Sequence, residues 1–193
     1  MARKKEYIEA EVAEKAMHLF WEKGYEGTTM RDLEGRLGIN QFSIYASFKN
    51  KQGLLQEAVS LYEKHITSYL LKDLEDSTGD ITDIATFFYR FVQFVRHSDD
   101  KGKGCFMINT LQELKEEDEV LKMEITRFTA TIKSLFQGVL QKAKANGQLR
   151  AEVDVHAYAN YLMGVLQGLS TASKHFSSKE LDDFITLSVK SLV

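Results

Sequence analysis

Proline is absent from the 193 residues of this chain, and cysteine occurs once. Proline interrupts helix interiors and marks turns, so its absence favours long helices joined by short glycine-containing and polar connections. The single cysteine, Cys105, excludes an internal disulfide and is typical of a reducing compartment. No apolar run approaches the roughly 18–20 residues that cross a bilayer, and no signal-peptide pattern opens the chain. We therefore expect a cytoplasmic protein that has no membrane partner.

The chain has slightly fewer basic than acidic residues: 25 Lys and Arg and 28 Asp and Glu give a net charge of −3. The deficit is unevenly distributed, since residues 35–53 contain no acid but include Arg36, Lys49 and Lys51. Exposed charges act over about one Debye length, roughly 10 Å, so a local basic surface attracts phosphate even on an acidic protein. The distribution therefore leaves nucleic acid open as a partner, against which the net charge alone would argue.

Hydrophobic spacing indicates helices throughout the chain. Apolar residues recur at three- and four-residue steps, and no segment shows sustained strand alternation. We predict an all-α fold in which the first three helices form a small module over residues 1–50 and residues 51–193 form a larger helical bundle. About nine helices are expected, over residues 6–23, 28–37, 41–47, 51 to beyond 69, 80–97, 104–116, 121–143, 154–175, and from 177 or 178 onward.

Two short helices of the small module meet at a tight turn, Gly38-Ile39-Asn40. Glycine suits this reversal because it has no Cβ to clash, and the arrangement is typical of a helix-turn-helix. Apolar residues of both helices are spaced to pack against Leu19 and Phe20 of the first helix; they are Leu33, Leu37, Ile44 and Phe48. This packing would expose the opposite face of the third helix, as a helix that enters the DNA major groove requires. The exposed face would consist of Gln41, Ser43, Ala46 and Ser47.

Residues 24–55 resemble the DNA-binding region of the tetracycline-repressor (TetR) family of bacterial regulators. The family pattern runs G-[YF]-x-x-[TA]-[TS], [VM]-R-x-[IL], a glycine turn, a short helix ending [LI]-Y-x-x-F, and a Lys that starts the fourth helix. The matching residues are Gly24, Tyr25, Thr28, Thr29, Met30, Arg31, Leu33, Gly38, Ile39, Ile44, Tyr45, Phe48, Lys51 and Leu54. The resemblance implies a homodimeric regulator, most commonly a repressor, that a small-molecule inducer releases from a palindromic double-stranded DNA operator. Residues 1–50 would bind DNA, and residues 51–193 would bind the ligand and dimerise.

The resemblance also implies roles for single residues at the DNA. Lys51 and the start of the fourth helix would hold a phosphate, because the ammonium and the helix dipole act together. Gln41 would recognise adenine, and Ser43 would add a weaker contact. Phe42 replaces a small residue, so it either packs on thymine methyls or alters the approach of the helix; Asn40 and Gln41 replace a commoner Ser-Lys pair. The other expected contacts are Thr28, Thr29, Arg31, Tyr45 and Ser47, with Arg3, Lys4 and Lys5 as a basic arm.

The C-terminal bundle contains a second resemblance, since residues 102–114, GKGCFMINTLQEL, are similar to a G-C-x-x-x-N-x-x-x-E-L segment of one subset of the family. An inducer pocket is expected nearby, although each lining residue taken alone fits a core position better than a pocket position. Its expected lining is Phe87, Phe88, Phe91, Cys105, Met107, Leu111, Phe128 and Met163. Cys105 has two interpretations: a reactive thiolate whose pKa a helix N-terminus lowers, or a small buried core residue. The dimer interface is expected at Tyr161, Gly164, Val165, Gly168, Phe184 and Leu187.

Two other function classes remain as alternatives. An all-helical enzyme has little support, because the five histidines are scattered and no metal-ligand, phosphate-loop or dinucleotide-binding spacing occurs. We therefore expect no catalytic residue, no metal and no cofactor. A ligand-binding or adaptor protein that has lost DNA binding is disfavoured by the acid-free residues 35–53, in which Lys51 is retained.

Overall fold

Helices make up the secondary structure of this chain. A computed structural model describes residues 7–96 and 102–192, and these two ranges contain nine helical rods and no β-strand. The predicted all-α fold is confirmed. The helices are α1 (Glu9–Lys23), α2 (Met30–Leu37), α3 (Gln41–Phe48), α4 (Lys51–Ile66, continued by a π-helical turn Thr67–Leu71 and a last α-turn Lys72–Glu75), α5 (Thr82–Arg96), α6 (Phe106–Glu113), α7 (Glu119–Ala145), α8 (Val155–Ala172) and α9 (Ser178–Lys190).

Local capping sets where most of these helices begin. Thr29 and Asp32 form a reciprocal capping box at the start of α2, and Ser177 and Glu180 form another at the start of α9. At α2 the Lys23 ammonium, 2.6 Å away, and the Thr29 groups hold the pKa of the Asp32 carboxyl well below its usual range. Asp154 caps α8 by accepting from backbone N–H groups of its first turn. These polar caps are short-range, which is why the predicted helix starts agree closely with the observed ones.

The first three helices pack as the sequence predicts. Leu33 and Leu37 of α2 and Ile44 and Phe48 of α3 are all buried, and they share one hydrophobic core with Leu19 and Phe20 of α1. α1 also packs along α4, which extends out of the small module. The polar surface of α3 is therefore left on the outside.

α4 joins the small module to the bundle, and an aromatic cluster surrounds it at the junction. Tyr62 of α4 is fully buried and lies edge-on to Trp21 of α1, Phe94 of α5 and Phe106 of α6, with ring centroids 5.2–5.6 Å apart. The hydrophobic core is continuous through both parts of the chain. The domain division after residue 50 stays a prediction.

In the bundle, the 27-residue α7 packs along α8, and α9 packs on α5 and α8. Its core is aromatic where Phe87 and Phe88 of α5 meet Phe136 of α7. No helix in the described ranges has both the length and the apolar character needed to cross a membrane.

Candidate functional site

The turn between α2 and α3 holds α3 in a defined direction. Gly38 ends α2 in the left-handed conformation, with φ of 71°, which glycine adopts without strain. The Asn40 side chain then accepts a hydrogen bond from the Ser43 N–H at 2.9 Å. The Gln41 N–H donates to the Glu34 carboxylate at 2.7 Å, so an acid of α2 also caps α3. Two hydrogen bonds thus fix the start of an eight-residue helix.

The outward face of α3 presents Gln41, Phe42, Tyr45 and Ala46 to solvent. The Gln41 amide nitrogen donates to the Tyr45 hydroxyl at 2.9 Å, which orients both side chains along the helix. Phe42 is 86% exposed. Of the four residues predicted to form the exposed face, Gln41 and Ala46 lie on it, whereas Ser43 and Ser47 do not.

Ser43 and Ser47 are half-buried on the flank of α3, where a residue outside the predicted set contacts them. The Tyr7 hydroxyl donates to the Ser43 carbonyl at 3.0 Å and lies 2.8 Å from the Ser47 hydroxyl. Tyr7 therefore fastens the segment before α1 to the recognition helix. No local sequence signal identifies this contact, because the partners are 36 and 40 residues apart. Arg3, Lys4 and Lys5, the expected arm, lie outside the described residues.

A tight corner places Lys51 beside α3. The Asn50 N–H donates to the Phe48 carbonyl at 2.8 Å, and Lys49 between them has φ of 68°, the geometry of a γ-turn with positive φ. A Cβ on Gly53 would lie 2.0 Å from the Phe48 carbonyl oxygen, so only glycine allows α3 and α4 to approach this closely. Gly53 is absent from the predicted site residues, although a glycine two residues after the helix-starting Lys51 is a visible signal in the sequence.

The Lys51 ammonium lies 4.3 Å from the centre of the Tyr25 ring, a cation–π contact that positions it at the first turn of α4. Partial burial lowers the pKa of Lys51, while Glu26 and Glu113 oppose that shift. Asn50 accepts from the Gly53 N–H at 2.7 Å and caps the helix. The arrangement presents a cation together with a helix N-terminus, which is a favourable site for a phosphate.

Two expectations about the basic surface need correction. Thr28 is only 1% exposed and its hydroxyl donates to the Gly24 carbonyl at 2.6 Å, so its side chain cannot contact a phosphate from this position. Arg36 is paired with Glu22 at 2.6 Å, so its charge is largely balanced within the protein. Thr29 and Arg31 are exposed at the start of α2. Among the described residues, Lys49 and Lys51 adjoin the end of α3, and Arg31 lies in the first turn of α2.

The segment around α6 connects the small module to the bundle through polar contacts. Trp21 of α1 donates its indole N–H to the Gly104 carbonyl at 2.9 Å, and the Glu26 N–H donates to the Glu113 carboxylate at 3.0 Å. Lys115 pairs with Glu26 at 3.0 Å. Movement of α6 would therefore be transmitted to the loop between α1 and α2.

The residues predicted to line an inducer pocket are mostly packed in the core. Six are buried, Met163 is half-buried and Leu111 is exposed; the buried ones are Phe87, Phe88, Phe91, Cys105, Met107 and Phe128. Two clefts occur near them. One of about 430 Å³ lies between α4 and α5, lined by His65, Ser68, Tyr69, Gln93 and Phe94, and one of about 410 Å³ lies between α5 and α9. None of the eight predicted residues lines either cleft, so that set stays a prediction.

Cys105 is the residue immediately before α6, as expected, but its surroundings are apolar. Burial raises the pKa of the thiol, and this outweighs the opposing effect of the α6 N–H groups and of the Tyr62 hydroxyl, 3.6 Å from the sulfur. Of the two interpretations of Cys105, the structure favours the buried core residue over the reactive thiolate. The thiol is that of a buried core residue.

The predicted dimer residues divide between surface and core. Tyr161, Gly164 and Leu187 are exposed on neighbouring faces of α8 and α9. Gly168 lies against the Phe184 ring, whose nearest atom would be 2.9 Å from a Cβ at that position. Val165 is only 4% exposed and packs inside the protomer, so its assignment to the interface is wrong. Among the described residues, no group of three or more His, Cys, Asp or Glu is placed to hold a metal ion.

The chain matches two protein families by sequence. The family "Bacterial regulatory proteins, tetR family" matches residues 13–58, and "Tetracyclin repressor-like, C-terminal domain" matches residues 81–186. The uncharacterized HTH-type transcriptional regulator YezE of Bacillus subtilis (strain 168) is 32% identical over 164 residues, which cover 84% of this chain and 84% of YezE. The HTH-type transcriptional repressor ComR of Escherichia coli (strain K12) is 27% identical, over 86% of this chain and 80% of ComR.

Solved structures of similar fold include two protein–DNA complexes. A cysteine mutant of the TetR family regulator CifR, complexed with a 26-bp operator DNA, superposes with a TM-score of 0.86 at 23% identity, over 100% of both chains. AibR in complex with isovaleryl coenzyme A and operator DNA superposes with a TM-score of 0.74 at 18% identity, over 95% of this chain and 97% of AibR. At these identities the likeness establishes the fold.

Proposed function

Because this chain belongs to the tetracycline-repressor family of DNA-binding transcriptional regulators, which are not enzymes, we propose that it acts in the cytoplasm as a homodimeric repressor. The dimer occupies a palindromic operator and leaves it when a small-molecule inducer binds. The supporting observation is the outward face of α3, on which Gln41 and Tyr45 are exposed and joined by a hydrogen bond. An exposed, rigidly capped short helix of this kind suits insertion into a major groove.

Base recognition in this proposal centres on Gln41. Its amide nitrogen gives one hydrogen to the Tyr45 hydroxyl, which leaves one N–H and the carbonyl oxygen free to bind. Adenine presents an acceptor and a donor in the major groove, and a glutamine amide pairs with both. Ser43 adds a weaker contact from the flank of the helix, and Asn40 acts by capping α3.

Phosphate contacts hold the module on the duplex. Lys51 and the first turn of α4 bind one phosphate, because cation and helix dipole favour the same anion. Thr29 and Arg31 at the start of α2, together with Tyr45 and Ser47, contact neighbouring phosphates. These contacts set affinity and register and carry little sequence information.

Dimerisation through α8 and α9 supplies the second half-site. One helix-turn-helix module covers half of a palindrome, so two copies of α3 must lie about 34 Å apart, one turn of DNA. Tyr161, Gly164 and Leu187 are exposed and available to a second copy, and Gly168 packs on the Phe184 ring within the protomer. Gly164 leaves open space for close helix approach.

Induction follows from the link between the bundle and the small module. An inducer that prefers a different position of α6 would shift the loop between α1 and α2 through Trp21, Glu26 and Glu113. The spacing of the two α3 helices would change, and DNA would be released according to the inducer's differential affinity for the two states. That AibR was solved with isovaleryl coenzyme A and operator DNA supports a small organic inducer as the ligand class.

The experiment is selection of binding sites from random duplex DNA, followed by sequencing, with the wild type and a Gln41→Ala, Lys51→Ala double variant. A matched control, Gln141→Ala with Lys64→Ala, removes one amide and one cation from exposed positions of α7 and α4 away from α3. We expect the wild type and the control to enrich the same palindrome and the Gln41→Ala, Lys51→Ala variant to enrich none. Failure of the wild type to enrich any site at low salt would contradict the proposal.

A further inference from the structure

Phe42 has the most exposed large apolar side chain in the described part of the chain, at 86%. The other residues at the start of α3 have hydrogen-bond partners within the protein. Asn40 caps the helix, Gln41 bonds to Tyr45, and the Ser43 carbonyl accepts from Tyr7. The phenyl ring of Phe42 stacks on no aromatic ring of the described residues. An exposed phenylalanine on an otherwise anchored helix indicates an external apolar partner.

The position of the ring on α3 restricts what that partner is. Phe42, Tyr45 and Ala46 are spaced by three and four residues, so they share one face of the helix. Ile44 and Phe48 define the opposite, buried face. Phe42 also lies in the first turn, and the first turn of a recognition helix is the part that approaches base edges. A phenyl ring cannot bond to a phosphate, so its partner in the groove is a base.

The base edges of the major groove offer one apolar group, the C5 methyl of thymine. We propose that Phe42 is a specificity residue that recognises thymine by packing on this methyl group; this inference rests on the DNA-binding function proposed above. Gln41, the preceding residue, is the adenine-recognition residue of the same turn. The half-site of the operator therefore contains an A·T-rich step beneath the start of α3.

The test replaces each thymine of the selected operator by deoxyuridine, which removes the methyl group and leaves base pairing intact. Dissociation constants are measured for the wild type, for Phe42→Ala and for Met123→Ala. Met123 is 72% exposed on α7, so Met123→Ala controls for the loss of an exposed apolar side chain elsewhere. Phe42→Ala retains the fold because Phe42 contributes almost nothing to the core.

One thymine per half-site is expected to be sensitive in the wild type and in Met123→Ala. Burial of one methyl group predicts a loss of affinity of about fourfold per half-site and about 15-fold when both half-sites are substituted. Phe42→Ala should bind the natural and the substituted operator equally. Two results would overturn the role of Phe42 while leaving the DNA-binding function intact. In one, no deoxyuridine weakens binding by the wild type; in the other, deoxyuridine weakens binding by Phe42→Ala as much as binding by the wild type. A wild type that selects no operator at all overturns both.

Discussion

At the scale of single residues, two effects act in opposite directions on the pKa of the Cys105 thiol: the helix N-terminus lowers it and burial raises it. The residue lies at the N-terminal end of α6, where backbone N–H groups favour a thiolate. It is also surrounded by core residues, and Tyr62, its hydroxyl partner, is fully buried. The free energy needed to remove a thiolate from water exceeds the stabilisation that the N–H groups of one helix turn provide, so the thiol stays protonated. Cys105 therefore belongs to the packing at the junction of α4, α6 and α8.

Thiol reactivity measures this burial directly. We expect the native protein to react with a disulfide reagent such as DTNB at least about 100-fold more slowly than the chain in denaturant, because reaction requires local opening. The released chromophore, followed over time, gives both rates. Cys105→Ser should give no signal in either condition. Equal rates in native buffer and denaturant would contradict the buried position.

Cys105 also makes the free energy of unfolding depend on pH, and the sign of this dependence follows from its raised pKa. Since burial raises the pKa of the Cys105 thiol, its contribution to stability is fully present below the ordinary thiol pKa, about 8.5. The contribution is lost as pH rises through the folded-state pKa, because the unfolded chain releases the proton first. The free energy of unfolding, from urea titrations at about pH 7 to 10, should fall more steeply with pH in the wild type than in Cys105→Ser. Parallel curves would show that Cys105 does not titrate differently on unfolding.

At the scale of elements, the corner between α3 and α4 determines where the recognition helix lies. The γ-turn at Lys49 and the close approach of the Phe48 carbonyl to Gly53 leave no room for a longer connection. Lys51 is thereby placed beside the outward face of α3. The corner therefore holds α3, the proposed base-recognition helix, next to Lys51 and the start of α4, the proposed phosphate site.

Substitution of Gly53 tests this corner. Gly53→Ala would place a methyl group 2.0 Å from a backbone oxygen, so the corner must open, at a cost of about 1–3 kcal/mol in the free energy of unfolding. The matched control is Gly35→Ala in α2, where nothing lies within 4 Å of the new Cβ. That control should raise stability by up to about 1 kcal/mol through helix propensity. Urea unfolding followed by circular dichroism compares the two, and a Gly53→Ala variant as stable as Gly35→Ala would refute the close approach.

At the scale of the whole molecule, the proposed function requires that two small modules be held at a fixed distance. In the proposed dimer each protomer supplies one α3, and the bundle supplies the surface that pairs protomers. The hydrophobic core is continuous between module and bundle, so we expect a change in the bundle to alter the module's position. Affinity for DNA would then be a property of the dimer.

Oligomeric state tests the pairing surface. Gly164→Arg introduces a large cation where the protomer has open space, so the protomer should fold normally and fail to dimerise. Sedimentation should give a mass near the 22.1 kDa of one chain for Gly164→Arg and about twice that for the wild type. Gly138→Arg in α7, also in open space, is the matched control and should remain dimeric. Gly164→Arg should also lose operator binding; a dimeric, tightly binding Gly164→Arg would show that the interface lies elsewhere.

Residue spacing in the sequence was enough to predict the helices, their caps and the family. Helix periodicity depends on residues three and four apart, and the caps at Thr29, Asn40 and Ser177 depend on residues two and three apart, so a linear pattern contains them. The spacing from Gly24 to Leu54 likewise identified the helix-turn-helix. The sequence therefore predicted the exposure of Gln41 and Ala46 and the position of Lys51 without any long-range information, but not the half-burial of Ser43 and Ser47.

Only the tertiary structure shows which of the predicted side chains are exposed and unpaired, and so able to contact DNA or a second protomer. Thr28 turns inward to the Gly24 carbonyl, and Arg36 pairs with Glu22 on another helix. Val165 faces the protomer core although it lies between two glycines of an expected interface. Tyr7 contacts α3 across 36 residues. Burial and pairing depend on which elements meet in space, and a one-dimensional pattern does not contain those distances.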